Sequence, residues 1–155
     1  MKKAMLLIIF CSLLSVIYGK YIIDIYKSNT IEVISEYENI YILQQGVYST
    51  FDNANKNSKD LYYYIVEKDD KYYRVYVGIT QNKENSEKVK GIYKGKGKDI
   101  YVWEKQVNNN EFLEALKQYD NMLNEKNEEK DILEVEKKVL EKYEELIIKN
   151  NGEND

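Results

Sequence analysis

The segment KYYRVYVGIT, residues 71–80, alternates valine with polar or aromatic residues and contains the only arginine of the chain. Such alternation is typical of a β-strand that has one face in the core. The two faces of this strand carry different side chains: Tyr73, Val75 and Val77 on one, Arg74 and Tyr76 on the other. We expect the valines to face the core, so the arginine stands on the opposite face of the sheet.

The flanking segments predict the rest of a small α+β domain. Three further strands are expected at residues 40–45, 61–68 and 99–105, and the Asp69-Asp70 turn joins the second and third strands in a hairpin. Polar cap residues predict one helix ending near Lys59 and another ended by Gly95 and Gly97. The order βαββαβ predicts a ferredoxin-like fold, with a four-stranded antiparallel sheet, both helices on one face and the other face open.

Strand alternation also predicts which side chains the open face carries. In the first strand Ile42 and Gln44 point outward and Leu43 inward, and in the last strand Tyr101 and Trp103 point outward. The candidate binding residues are therefore Gln44, Arg74, Tyr76, Tyr101 and Trp103. Flat rings beside planar amide and guanidinium groups suit sugars, whose hydroxyl and acetamido groups the polar side chains can bind. Stacked nucleobases are an alternative ligand, and a face covered by the C-terminal helices is another alternative.

The first residues, MKKAMLLIIFCSLLSVIYGK, have the pattern of a signal peptide or signal anchor. We expect residues 1–26 to form an uncleaved transmembrane anchor and residues 27–39 a linker, with a cleaved signal as the alternative. Lys2 and Lys3 then lie in the cytoplasm. The protein is expected in the cell membrane as a single-pass protein whose bulk is extracytoplasmic, which argues against a nucleic-acid partner.

Composition excludes several kinds of chemistry. The chain has no histidine and one cysteine, which removes histidine-dependent nucleophiles, most metal sites and any internal disulfide. Carboxylate pairs at Asp69-Asp70 and Glu128-Glu129 fall in a turn and in a solvated helix, where they are poorly suited to glycan hydrolysis. We predict no catalytic residue, no metal and no cofactor.

The C-terminal part, residues 108–155, differs from the rest of the chain in charge. Residues 111–155 carry 14 acidic and 7 basic side chains, whereas residues 1–110 carry 13 acidic and 16 basic ones. Apolar residues recur at helical spacing on both sides of a polar stretch at 124–130. This pattern predicts two amphipathic helices, or one long helix with a phase shift, that pack on the sheet domain or on each other, or that bind a partner.

Two stretches, ILQQGVYSTFDNA (42–54) and YYRVYVGITQNKENSEKV (72–89), resemble the sporulation-related repeat (SPOR) domain. The resemblance covers roughly residues 40–106 and rests on Leu43, Gln44, Gly46, Tyr48 and Asn53-Ala54, and on Arg74, Val75, Val77, Gly78, Glu84 and Ser86. It implies a bacterial cell-wall module that binds peptidoglycan glycan strands without stem peptides on its open sheet face. Gln44, Arg74 and one last-strand aromatic residue would contact the glycan. Gln45 departs from the family pattern, and a register shift of one residue would turn it toward the glycan instead of Gln44.

These observations lead to two functional hypotheses. The first is a non-catalytic, membrane-anchored peptidoglycan-binding protein that uses residues 40–107 to localise to cell wall at division septa or sporulation sites. The alternative is a membrane-anchored scaffold of the division or sporulation machinery, which recruits a protein partner through the acidic helices of residues 108–155.

Overall fold

A computed structural model describes residues 37–149 of the chain. The predicted anchor (1–26) and most of the predicted linker (27–39) lie outside the described residues, as do residues 150–155. Between residues 37 and 149 no helix combines the length and the apolar character that crossing a bilayer requires.

Four antiparallel strands form one sheet in the spatial order β2-β3-β1-β4. Their bounds are Glu38–Tyr48 (β1), Ile65–Asp69 (β2), Tyr72–Thr80 (β3) and Tyr101–Val107 (β4). The helices are Phe51–Ser58 (α1), Lys83–Gly95 (α2), Asn110–Glu125 (α3) and Glu129–Tyr143 (α4), and a π-helical turn, Glu144–Ile148, follows α4. The predicted α+β class and four-stranded antiparallel sheet are confirmed, and the arrangement is compatible with the ferredoxin-like fold.

Polar side chains start three of the helices. Thr50 Oγ1 accepts a hydrogen bond from the Asn53 backbone N–H at 3.2 Å. Asn82 Oδ1 accepts the Glu84 N–H at 2.8 Å, and Asn109 Oδ1 accepts the Phe112 N–H at 2.9 Å. Because a side-chain oxygen satisfies one of the free N–H groups of the first turn, these short sequences decide where α1, α2 and α3 begin.

Two irregularities interrupt the pairing of the central strands β1 and β3. Leu43 pairs with Gly78, Gln44 with Tyr76, and Gly46 with Val75, so Val77 and Gln45 each stand as an extra residue. Such bulges change the face on which the following side chains point. Gln44 keeps the predicted orientation, while Gln45 bonds locally to the Tyr48 hydroxyl at 3.0 Å.

The strand predicted at residues 61–68 begins only at Ile65 in the structure, because the residues before it bend toward other elements. The Leu61 N–H bonds to the Ser58 carbonyl at 3.0 Å, which closes a turn after α1. The Tyr62 hydroxyl then donates to Glu134 on α4, and the Tyr64 hydroxyl donates to Asn55 on α1. Contacts with distant helices thus override the strand propensity of the aromatic run.

One core cluster lies on the sheet face that α1 and α2 cover. It contains Leu43, Val75 and Val77 from the central strands, with Ala54 from α1 and Val89 and Tyr93 from α2. Ile100 joins this cluster, and Val102 packs against it. The predicted inward orientation of Leu43, Val75, Val77, Ile100 and Val102 is confirmed.

The expectation of an open second face is wrong for about half of the sheet. Ile40, Ile42 and Tyr76 on that face belong to a second core cluster with Phe112, Leu113 and Leu116 of α3 and Val139, Leu140 and Tyr143 of α4. The polar break at residues 126–128 separates α3 from α4, and both helices pack their apolar stripes on the sheet. The face remains uncovered at the end that carries Val47, Tyr72 and Tyr101.

Candidate functional site

Arg74 is the centre of a hydrogen-bonded group on the uncovered end of the sheet. Its Nε and Nη2 atoms lie 2.9 and 2.7 Å from Asp69 Oδ2, and its Nη1 lies 3.2 Å from Gln44 Oε1. A guanidinium has five N–H donors, so these contacts leave two N–H groups unassigned. The Arg74 side chain keeps 29% of its surface exposed, which leaves it accessible to a ligand.

Strand register explains why these three residues meet. Glu67 pairs with Arg74 across the β2–β3 hairpin, and Asp69, two residues further on, shares its face. Gln44 pairs with Tyr76 on β3 and with Tyr101 on β4. Gln44 is only 8% exposed, and its amide NH₂ group forms no hydrogen bond within the described residues.

Two aromatic side chains of β4 form the other side of the site. Tyr101 is 66% exposed, the highest value among the large hydrophobic residues described. Trp103 is half-buried and tilts against Tyr76, with ring centroids 6.4 Å apart. The indole Nε1 of Trp103 is buried and has no acceptor among the described residues. Tyr101 therefore offers a ring face to a ligand, and Trp103 forms the wall behind it.

These side chains enclose a shallow cavity of about 370 Å³ lined by Gln44, Asp69, Arg74, Tyr101 and Trp103. We call this cavity the sheet cleft. Four of the five predicted binding residues thus lie together on one face, as strand alternation predicted.

The structure corrects the prediction for Tyr76, the fifth candidate binding residue, because this side chain is buried and not exposed to a ligand. Its side chain is 1% exposed and packs edge-on against Tyr143 of α4, with ring centroids 6.4 Å apart. Burial raises the pKa of the Tyr76 phenol, which therefore stays neutral. Tyr76 supports Trp103 from beneath, and α4 prevents it from stacking on a ligand.

A second polar group borders the sheet cleft on the side of α4. Lys105 Nζ lies 3.0 Å from Glu67 Oε1 and 2.7 Å from the Tyr143 hydroxyl. A smaller cavity of about 250 Å³ connects this group to the cleft, since it shares Asp69, Arg74 and Trp103 with it. Burial raises the pKa of the Tyr143 phenol, so Tyr143 takes part as a neutral hydroxyl.

The charges of the site balance in pairs. Arg74 faces Asp69, and Lys105 faces Glu67. A ligand therefore meets hydrogen-bond donors and acceptors in a locally neutral setting, next to an exposed aromatic ring. This combination suits uncharged hydroxyl and amide groups better than a chain of phosphates, whose binding depends on an excess of positive charge.

Three charged residues that pair within the site or beside it are not among the candidates that the sequence predicts: Asp69 and Glu67 of β2, and Lys105 near the end of β4. The sequence predicts that Asp69 belongs to the turn. In the structure Asp69 ends β2, and the turn is formed by Asp70, which has a φ of 23°, and Lys71. Alternation back from Asp69 puts Glu67 on the same face, which was a usable signal. Alternation forward from Trp103 likewise puts Lys105 on this face.

Comparisons of the chain with protein-family models, with curated proteins and with solved structures found no match.

Proposed function

We propose that this protein is a non-catalytic binder of peptidoglycan glycan strands that lack stem peptides, and that the sheet cleft is its binding site. The observation that carries the proposal is the Arg74 guanidinium, held between Asp69 and Gln44 beside the exposed ring of Tyr101. The resemblance to the SPOR domain, which implies that Gln44 and Arg74 contact the glycan, supports the same proposal.

The chemistry of the cleft fits a sugar with an acetamido group. The free N–H groups of Arg74 and the NH₂ group of Gln44 are donors for carbonyl and hydroxyl oxygens, and Asp69 is an acceptor for hydroxyl groups. The exposed ring of Tyr101 can pack on the C–H face of a pyranose. Because the polar groups are held by one another, little ordering is required when a ligand binds.

Membrane attachment and an extracytoplasmic, septal or sporulation-site location belong to the proposal as well. They rest on the sequence of residues 1–26 and on the resemblance.

The scaffold hypothesis has less support from the packing of the C-terminal helices. The apolar stripes of α3 and α4, represented by Phe112, Leu116 and Val139, are buried against the sheet. Recruitment of a partner would have to use their charged outer faces.

The test is co-sedimentation of the full chain with cell walls treated with an amidase, which removes stem peptides, and with untreated walls. We expect binding to the treated walls. Arg74→Ala and Arg74→Lys should each weaken it by about tenfold or more, because a hydrogen bond to a charged group contributes about 1.5–3 kcal/mol and lysine lacks the planar fork. Gln44→Ala and Tyr101→Ala should also weaken it.

The matched control is Tyr37→Ala, which removes another exposed tyrosine, 61% exposed, that does not line the cleft. Thermal unfolding of each variant checks that the fold is intact. Equal sedimentation of the unmodified chain, Arg74→Ala and Tyr101→Ala would rule out the sheet cleft as the glycan site.

A further inference from the structure

A second recess begins where the sheet cleft ends, at the outer edge of β4. This recess has a volume of about 460 Å³ and shares Tyr101 and Trp103 with the cleft. Its other walls include Tyr41 of β1 and Lys83, Glu87 and Lys90 of α2. The second recess therefore borders the cleft at the edge strand β4 and extends toward α2.

A third recess extends the same path to α3. It has a volume of about 690 Å³, shares Tyr41 and Lys83 with the second recess, and is also lined by Lys117, Asn121 and Asn124. We call the second and third recesses together the edge groove. The sheet cleft and the two recesses of the edge groove are neighbours in a row, since each cavity shares two lining residues with the next.

Two helix faces line the edge groove with polar side chains. Lys83, Glu87 and Lys90 recur at intervals of four and three on α2, and Lys117, Asn121 and Asn124 do the same on α3. Lys117 forms an ion pair with Glu38 at 2.9 Å. Within the described residues, the other two lysines, Lys83 and Lys90, form no ion pair, and the side-chain amides of Asn121 and Asn124 form no hydrogen bond. The groove thus presents two ammonium groups, of Lys83 and Lys90, and two amide groups that the described part of the fold does not use.

Buried contacts hold the two helices in place around the groove. Asp120 Oδ2 accepts the Gln81 backbone N–H at 2.8 Å, and Asp120 Oδ1 accepts Asn85 Nδ2 at 3.0 Å and the Thr80 hydroxyl. Lys88 Nζ donates to the Leu123 carbonyl at 2.7 Å, which ties α2 to the end of α3. The walls are therefore fixed before any ligand arrives.

The helices α3 and α4 also decide the direction in which a polymer can leave the sheet cleft. They cover the sheet at Ile40, Ile42 and Tyr76, which blocks a path along the strands on that side. At β4 the side chain of Tyr101 is exposed and also lines the second recess, so a polymer that crosses β4 there reaches the edge groove.

We propose that the edge groove binds the continuation of the glycan strand whose first sugars occupy the sheet cleft. This inference rests on the proposed function. Amide groups suit acetamido and hydroxyl groups, and the ammonium groups of Lys83 and Lys90 suit the carboxylates that glycan sugars carry. The protein accordingly prefers long glycan strands to short ones.

The test measures the affinity of the full chain for disaccharides and for longer oligosaccharides cut from amidase-treated glycan strands. The unmodified protein binds the longer fragments more tightly. The double variant Asn121→Ala, Asn124→Ala should lose about tenfold or more for the longer fragments, since even one ordinary hydrogen bond changes an equilibrium by roughly fivefold. Its affinity for disaccharides should stay unchanged. Lys83→Ala should act in the same direction.

Gln118→Ala is the matched control, because it removes an exposed amide of α3 that does not line the groove. Asn124→Arg, which fills the groove, should also abolish the preference for length while leaving disaccharide binding intact. Two results would contradict glycan binding in the edge groove without contradicting binding in the sheet cleft. One is equal affinity of the unmodified protein for short and long fragments. The other is an unchanged length preference in the double variant. Failure of the unmodified protein to bind any fragment would overturn the proposed function and this inference with it.

Discussion

At Gly78 the size of a single residue sets how closely α4 approaches the sheet. A Cβ atom at this position would lie 3.0 Å from Glu136 Oε2 and 3.4 Å from Leu43 Cδ1. Both neighbours are buried and held by their own contacts, so neither can move away freely. The absence of a side chain at Gly78 therefore permits the contact between β3 and α4.

We expect Gly78→Ala to lower the free energy of unfolding by about 1–3 kcal/mol, because an added methyl group overpacks this site. Urea denaturation measures the change. Gly91→Ala on α2 is the control, since a Cβ there meets no atom within 4 Å. Gly91→Ala should raise stability by roughly 0.5–1 kcal/mol through helix propensity. Equal stability of Gly78→Ala and the unmodified protein would contradict this account of the packing.

At the scale of the elements, α4 takes the place of a missing strand beside β3. The pairing of β2 with β3 stops at Tyr76, which leaves the later backbone groups of β3 without a strand partner on that side. Glu136 of α4 fills part of the gap, since its Oε2 accepts the Ile79 N–H at 3.0 Å. The Glu136 side chain is fully enclosed, and its Oε1 atom has no partner among the described residues.

Burial of Glu136, with a smaller effect of nearby Asp120, raises the pKa of its carboxyl group to about 8. The unfolded chain releases this proton near pH 4.5, so between these values the folded protein binds a proton that the unfolded chain does not. The contribution of Glu136 to the free energy of unfolding is therefore fully present below pH 4.5, and it is lost as the pH rises toward about 8. The expected slope reaches about 1.4 kcal/mol per pH unit.

Replacing Glu136 with glutamine keeps an acceptor for the Ile79 N–H and removes the charge. We therefore expect Glu136→Gln to flatten the fall in stability between pH 5 and 8, as followed by urea denaturation at several pH values. Glu141→Gln changes an exposed carboxylate of the same helix and should leave the slope as it is. A Glu136→Gln variant with the original slope would show that another group causes the pH dependence.

For the molecule as a whole, the sheet and the C-terminal helices share one interior. Ile40, Ile42 and Tyr76 of the sheet lie in the same cluster as Leu116 of α3 and Val139 of α4. The sequence-based boundary between residues 107 and 108 therefore does not separate two packing units. The acidic outer surface of residues 108–149 covers a core that a four-stranded sheet with two helices would leave exposed.

A chain that ends after Val107 should expose this cluster to water. We expect it to bind the dye ANS and to lose cooperative unfolding, because a large apolar area returns to solvent. The control is a chain that ends after Lys149, which keeps both helices. Cooperative unfolding of the shorter chain without dye binding would show that the sheet domain folds independently.

The sequence by itself determined those features of the fold that depend on residues close together in the chain, namely the faces of the strands and the starts of the helices. Period-two alternation was sufficient to sort Leu43, Val75 and Val77 to one face and Gln44, Arg74 and Trp103 to the other. Polar residues near positions 49–52 and 80–82 located the helix starts to within a few residues. In the structure Thr50 and Asn82 are the caps, and each bonds to a group only two or three residues away.

Only the tertiary structure decided how much of the sheet remains accessible and which partners complete the site. The bulge at Val77, the bend at Tyr62 and the burial of Tyr76 all depend on residues far away in the chain. The Tyr62–Glu134 bond, for example, joins positions 72 residues apart. No local pattern encodes such pairings, because they are selected by the packing of complete elements against each other. For that reason the candidate binding residues could be named from the sequence, whereas the limits of their cleft could not.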